Sequence, residues 1–111
     1  MSNLKLSKAN DLLICTLYKN YLEKIEKGSS RSKARWFGSS NTIQENLLNN
    51  WSKDDVATAC WELHSKGLLE CSAGDNIAYT TYLTDDGIVY MENRLGNKID
   101  KIIDYISKLK P

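Results

Sequence analysis

Proline and histidine each occur once in this 111-residue chain, and no apolar run approaches the roughly 18 residues that a membrane-crossing helix needs. With one histidine, no Gly-rich phosphate loop and no nucleophile elbow, the usual catalytic constellations cannot be assembled, and no enzymatic activity is expected. Cysteine is scarce too. Cys15, Cys60 and Cys71 are odd in number and form no CxxC pair, which argues against a disulfide framework. The opening stretch MSNLKLSKANDLL has neither the apolar core nor the small-residue cleavage site of a signal peptide, so a cytoplasmic protein is expected. An excess of one charge is also missing: 15 Lys and Arg face 14 Asp and Glu, and a net charge of +1 makes no whole-molecule case for nucleic acid. What remains, 41% hydrophobic and 26% charged residues, describes one globular domain over residues 1–111.

The order of elements follows from caps and periodicity. Ser7 can cap a helix over about 8–27 whose apolar stripe is Leu13, Ile14, Leu17, Tyr18, Tyr21 and Ile25, and Gly28-Ser-Ser ends it. RSKARWFGSS, residues 31–40, reads as an irregular loop with a short strand at Ala34–Phe37. Thr42-Ile-Gln-Glu45 matches the capping box and opens a helix over 42–49. Ser52 caps a third helix, 53–66, with Val56, Cys60 and Leu63 on its inner face and Gly67 as its left-handed terminator. A strand-like pair over 68–83, joined by Ala73-Gly-Asp-Asn76, predicts a hairpin. Thr84 caps a helix over 85–95, and a last helix over 98–109 follows Gly96-Asn97.

Two runs carry a resemblance. Val56-x-x-Ala59-Cys60-x-x-Leu63-x-x-Lys66-Gly67-Leu68-Leu69 resembles the recognition helix and first wing strand of the winged helix-turn-helix superfamily. Tyr82-Leu83-Thr84-Asp85-Asp86-Gly87 resembles the Leu-Thr-x-x-Gly step after the wing in PadR-like and MarR-like regulators. Small phage-associated YjcQ-like proteins are the most similar within that superfamily, sharing this step and a Lys-rich terminal helix. The resemblance covers roughly 7–109. It implies a mainly α fold with a small β-hairpin, a winged helix-turn-helix with an additional C-terminal helix, and a phage- or prophage-type transcriptional regulator that binds double-stranded DNA.

On that reading Ser52, Lys53, Ala57, Thr58 and Trp61 enter the major groove. Arg31, Lys33 and Arg35, in a stretch from Gly28 to Asn41 without an anion, hold phosphates beside them. The hairpin, however, carries Glu70 and Asp75 and no Lys or Arg, and Asp54-Asp55 open the recognition helix where phosphates would approach. The rival reading is a protein–protein interaction module on the same fold, with Trp61 as its apolar contact unless the basic loop or last helix covers it. Trp36 beside three cations also suits a phosphate backbone with a stacking ring, against the plainer alternative of a half-buried loop residue. Cys60, His64 and Cys71 are three potential zinc ligands without a fourth or a recognised spacing, so Cys60 is read as core, His64 as surface, and no metal or cofactor is expected. In the last helix Ile99, Ile102, Ile103 and Ile106 form a stripe that serves either the chain's own core or a homodimer, and a homodimer is expected.

Overall fold

The computed structural model describes residues 5–74 and 77–109, so Asp75 and Asn76 of the expected hairpin turn lie outside the described residues. Helix α1 spans Lys8–Glu26, and Ser7 caps it by accepting a hydrogen bond from the Asn10 amide at 3.1 Å. Its first half is buried on nearly every side, from Asn10 through Tyr18, because α1 is the central post of the fold. A one-turn helix α2 follows at Arg31–Ala34, then strand β1 at Trp36–Gly38. The expected irregular loop is thus ordered: Ser30 caps α2 through the Lys33 amide, and alternation places Phe37 inward and Trp36 outward.

Helix α3 runs over Ser40–Leu47 and α4 over Lys53–Ser65. The capping box at Thr42 is not formed. Ser39, three residues earlier, caps α3 by accepting from the Thr42 amide at 3.1 Å, so the helix starts two residues sooner than expected. Ser52 caps α4 through the Asp55 amide at 3.0 Å. Gly67 stops α4 at φ +79°, with the Gly67 amide on His64 O and the Leu68 amide on Leu63 O, the paired bonds of a Schellman motif.

Strands β2 (Leu69–Gly74) and β3 (Ile77–Leu83) pair antiparallel, and β1 adds to the other side of β3. The expected two-stranded hairpin is therefore a three-stranded sheet in the order β1-β3-β2. Helices α5 (Asp85–Leu95) and α6 (Ile99–Leu109) complete a mainly helical chain. The core joins Leu13, Ile14, Leu17 and Tyr18 of α1 with Ile43, Val56, Cys60, Leu63, Leu68, Leu69, Leu83, Met91 and Ile102. Among the described residues, no helix is long and apolar enough to cross a membrane.

The Leu-Thr-x-x-Gly step is where α4, the sheet and α5 lock together. The Thr84 hydroxyl accepts from the Gly87 amide at 2.9 Å and donates to Gly67 O at 2.6 Å, joining the N-cap of α5 to the C-terminus of α4. Gly87 lies against the Leu68 carbonyl so closely that a Cβ there would overlap the oxygen. Glycine is required at 87 by this approach of two backbones, not by its dihedral freedom.

Candidate functional site

The residues that the sequence groups as one DNA-binding set fall at two places. Ser52 and Lys53 lie at the N-terminal end of α4, and Lys53 Nζ sits on Gln44 Oε1 at 2.9 Å and on the Glu45 carboxylate at 3.4 Å. Arg35 lies near the other end of α4. Its Nε donates to Leu83 O at 2.8 Å, and Thr84, the next residue, is the one bonded to Gly67. The 13 residues of α4 make it about 20 Å long, and this length separates the two groups. Arg35 is also spent: Nη2 holds Asp85 at 2.6 Å, so the guanidinium fastens β3 and α5 to β1 and is not free for phosphate. Of the three cations expected beside the recognition helix, Arg31 and Lys33 are exposed and form no ion pair among the described residues, but they ride on α2, which packs on α1 and β1. Each end of the expected basic surface carries a carboxylate against its cation, Asp85 on Arg35 and Glu45 on Lys53.

The outer surface of α4 is mixed. Lys53, Asp54, Asp55, Thr58, Glu62 and Lys66 are exposed, Ala57 is half-buried, and Glu45 of α3 lies beside them. Ser52, Asp55, Thr58, Ala59 and Glu62 line a cleft of about 310 Å³ together with Ala9 at the start of α1 and with Asn50 and Trp51. Trp61 is half-buried and packs against the core. Its ring meets His64 edge-on at 5.2 Å, and the Cys71 amide of β2 donates to His64 Nδ1 at 3.3 Å. His64 is thus a tie between helix and strand rather than the free surface residue expected. Cys60 is fully buried as expected, and burial pushes its thiol up to about 12. Among the described residues, no group of three or more His, Cys, Asp or Glu side chains is disposed to hold a metal.

The homodimer stripe divides. Ile102 is completely buried in the chain's own core, and Ile106 is half-buried against it, because α6 packs along α1. Ile102 therefore cannot meet a second copy. Ile103, 48% exposed, and the half-buried Ile99 are what α6 still offers outward.

Two groupings went unseen in the sequence. Trp36, 46% exposed, lies on Tyr82 with ring centroids 4.8 Å apart, since the two are cross-strand partners. Beneath α6, the Asp11 carboxylate accepts from Arg94 Nη1 at 2.8 Å, Arg94 Nη2 at 3.2 Å and the Tyr105 hydroxyl at 2.7 Å, joining α1, α5 and α6. Burial raises the Asp11 pKa, but the bonds from Arg94 and Tyr105 and the Arg94 charge outweigh it, and the net shift is downward. The signal for this cluster was present: Asp11 shares a helix face with Ile14, Cys15 and Tyr18, all of them core.

Compared with protein-family models, with curated proteins and with solved structures, the chain finds no match.

Proposed function

We propose that the chain is a winged helix-turn-helix module, a small phage- or prophage-type transcriptional regulator that binds duplex DNA through the N-terminal half of α4. The observation that carries this reading is the arrangement itself. A helix, an edge strand, a helix pair and an antiparallel hairpin close into a β1-β3-β2 sheet, and the outward side of α4 at Lys53, Asp54 and Thr58 is left uncovered. Ser52, Lys53, Ala57 and Thr58 are the residues that would reach base edges and phosphates. The Lys53–Glu45 pair does not prevent this, because an exposed ion pair of this kind is worth about 0–1 kcal/mol and a phosphate can displace it. Trp61, half-buried against the core with its ring on His64, contributes to the footing of the helix.

Binding should be weak and strongly salt-dependent, since Asp54, Asp55 and Glu62 repel the backbone. The test is fluorescence anisotropy on a random-sequence duplex at two salt concentrations. Lys53→Ala should weaken binding and Asp54→Asn should tighten it; indifference to both substitutions refutes the reading. A second reading, a winged-helix protein–protein interaction module without DNA binding, is favoured by Lys53 lying on Glu45 and Gln44 among further carboxylates. No duplex binding at low salt is the result that selects it. A homodimer through α6 would use Ile99 and Ile103, since Ile102 is internal.

A further inference from the structure

We infer that the cleft between α2 and α5 seats a second copy of this chain, each copy laying its own α5 against the cleft of the other across a twofold axis. The cleft holds about 680 Å³, and its lining includes Leu22 and Ile25 of α1, Arg31 of α2, and Asp85, Ile88, Val89 and Glu92 of α5. Those four α5 positions are spaced 3, 1 and 3, so they share one face of the helix. That face is open where it is most apolar. Val89 is 51% exposed, more than any other large hydrophobic side chain among the described residues, and Leu22, Ile25 and Ile88 are only half-buried. Apolar residues gathered in this way on a surface mark a place where another surface belongs.

Charge decides which surface that is. The segment of the cleft lining around α2 brings Arg31 and Arg35 and no acid, whereas α5 brings Asp85 and Glu92 and no base. Asp85 is already on Arg35 at 2.6 Å, while Arg31 and Glu92 form no ion pair among the described residues. Each copy therefore offers one unspent cation and one unspent anion around a shared apolar patch. A polyanion attracted by Arg31 is repelled by Glu92, and a polycation meets the reverse, so the cleft suits no ligand of a single charge sign. It does suit itself. A twofold axis makes every contact twice, so Arg31 of one protomer meets Glu92 of the partner subunit and the reciprocal pair forms with it. Val89 lies between Asp85 and Glu92 along α5, so two α5 helices crossing at the valine bury the apolar patch and leave the charges at its rim. At 11 residues α5 is about 16 Å long, a small centre for an interface, and association should depend on concentration. This surface is separate from the N-terminal half of α4 and from the open side of α6, and it does not depend on what α4 binds.

The experiment is sedimentation equilibrium of the full chain over a wide concentration range, with circular dichroism to confirm that each variant is folded. The parent should pass from 12.6 kDa toward twice that mass as concentration rises. Val89→Gln, a substitution at an exposed helical site, should weaken association about tenfold, because two valines lose their apolar contact at once. Arg31→Glu and Glu92→Arg should each weaken it by a similar factor, since either reversal sets like charges together at two symmetric places. The double variant carrying both reversals should associate like the parent, a rescue that loss of fold or a contact elsewhere would not produce. Ile103→Asp should leave association unchanged, which separates this surface from α6. The proposal is overturned by a parent that stays monomeric up to about 1 mM, by folded Val89→Gln that associates like the parent, by a double reversal that stays as weak as the single ones, or by an Ile103→Asp protein that dissociates.

Discussion

Replacing Asp11 by Asn tests the fastening of the terminal helix with one atom changed. The carboxylate is buried and receives two bonds from Arg94 and one from Tyr105, with the Cys15 thiol at 3.5 Å as a weak fourth donor. An amide in its place keeps one acceptor oxygen and turns an NH₂ toward donors. Hydrogen bonds to a charged group are worth about 1.5–3 kcal/mol each, and removing one partner of a buried pair costs about 3–5 kcal/mol. The Arg94 side chain is 26% exposed, so water can partly solvate the orphaned guanidinium and the lower end of the range applies. A loss of about 3 kcal/mol is expected, which for a domain of this size is a fall of roughly 10–15 °C in Tm. Urea unfolding at neutral pH measures it.

The pH dependence makes the test sharper. The folded Asp11 pKa lies below its ordinary value, so its contribution is fully present above the unfolded pKa of about 4 and is lost as pH falls through the folded value. The stability gap between the parent and Asp11→Asn should therefore be widest at pH 6–7 and narrow steadily below about pH 4. A double-mutant cycle with Arg94→Met should give a coupling of about 2 kcal/mol. A substitution that costs less than about 1 kcal/mol, or a gap that is constant down to strong acid, would show that the pair does not hold α6.

Gly87→Ala should destabilise by about 1–3 kcal/mol despite alanine's better helix propensity, because the new Cβ overlaps the Leu68 carbonyl; denaturant unfolding checks this, and a neutral result contradicts the close approach. Ile102→Asp should unfold the chain or strip α6 from α1, whereas Ile103→Asp on the open side should leave the melting curve within about 0.5 kcal/mol of the parent. Sedimentation of Ile103→Asp beside the parent tells whether that open side joins two copies. Burial raises Cys15 and Cys60 to about 12 and Cys71 to about 11, so all three thiols should be silent to a thiol reagent at pH 8 until denaturant is added. Because those folded values stand above the unfolded one of about 8.5, the stability they lend should decline as pH rises past it.

The helices were legible wherever a cap and a terminator bracketed a periodic stripe. Ser7, Ser52 and Thr84 each hydrogen-bond the amide three residues on, as their positions in the sequence indicate, and Gly67 ends α4 in the left-handed region. Segment 30–42 was misread for a related reason. It holds four serines and a threonine, any of which can cap, and local sequence does not rank Ser39 above Thr42. The choice is made by β1, whose pairing with β3 ends at Gly38 and leaves Ser39 as the first residue free to turn. Strand β1 is a three-residue element held by a partner more than forty positions away, and nothing inside it announces that partner.

Arg31, Lys33 and Arg35 are set apart from Lys53 in the fold for a similar reason. Charge counted along a chain treats neighbours in sequence as neighbours in space, but β1 carries the α2 cations to the base of the sheet. There Arg35 meets Leu83 and Asp85, and Lys53 is left with α3 at the opposite end of α4. A guanidinium within reach of a backbone carbonyl and a carboxylate satisfies its donors inside the fold. A lysine on a one-turn surface helix has no such choice. The three cations of one tract have different fates: Arg35 builds the joint between sheet and α5, and Arg31 and Lys33 remain exposed on α2. The alternation that made RSKARW look like a single phosphate-binding run is also what divides it, because Trp36 points away from the core only if Phe37 points into it. With Phe37 buried, the indole belongs to the outer face of the sheet.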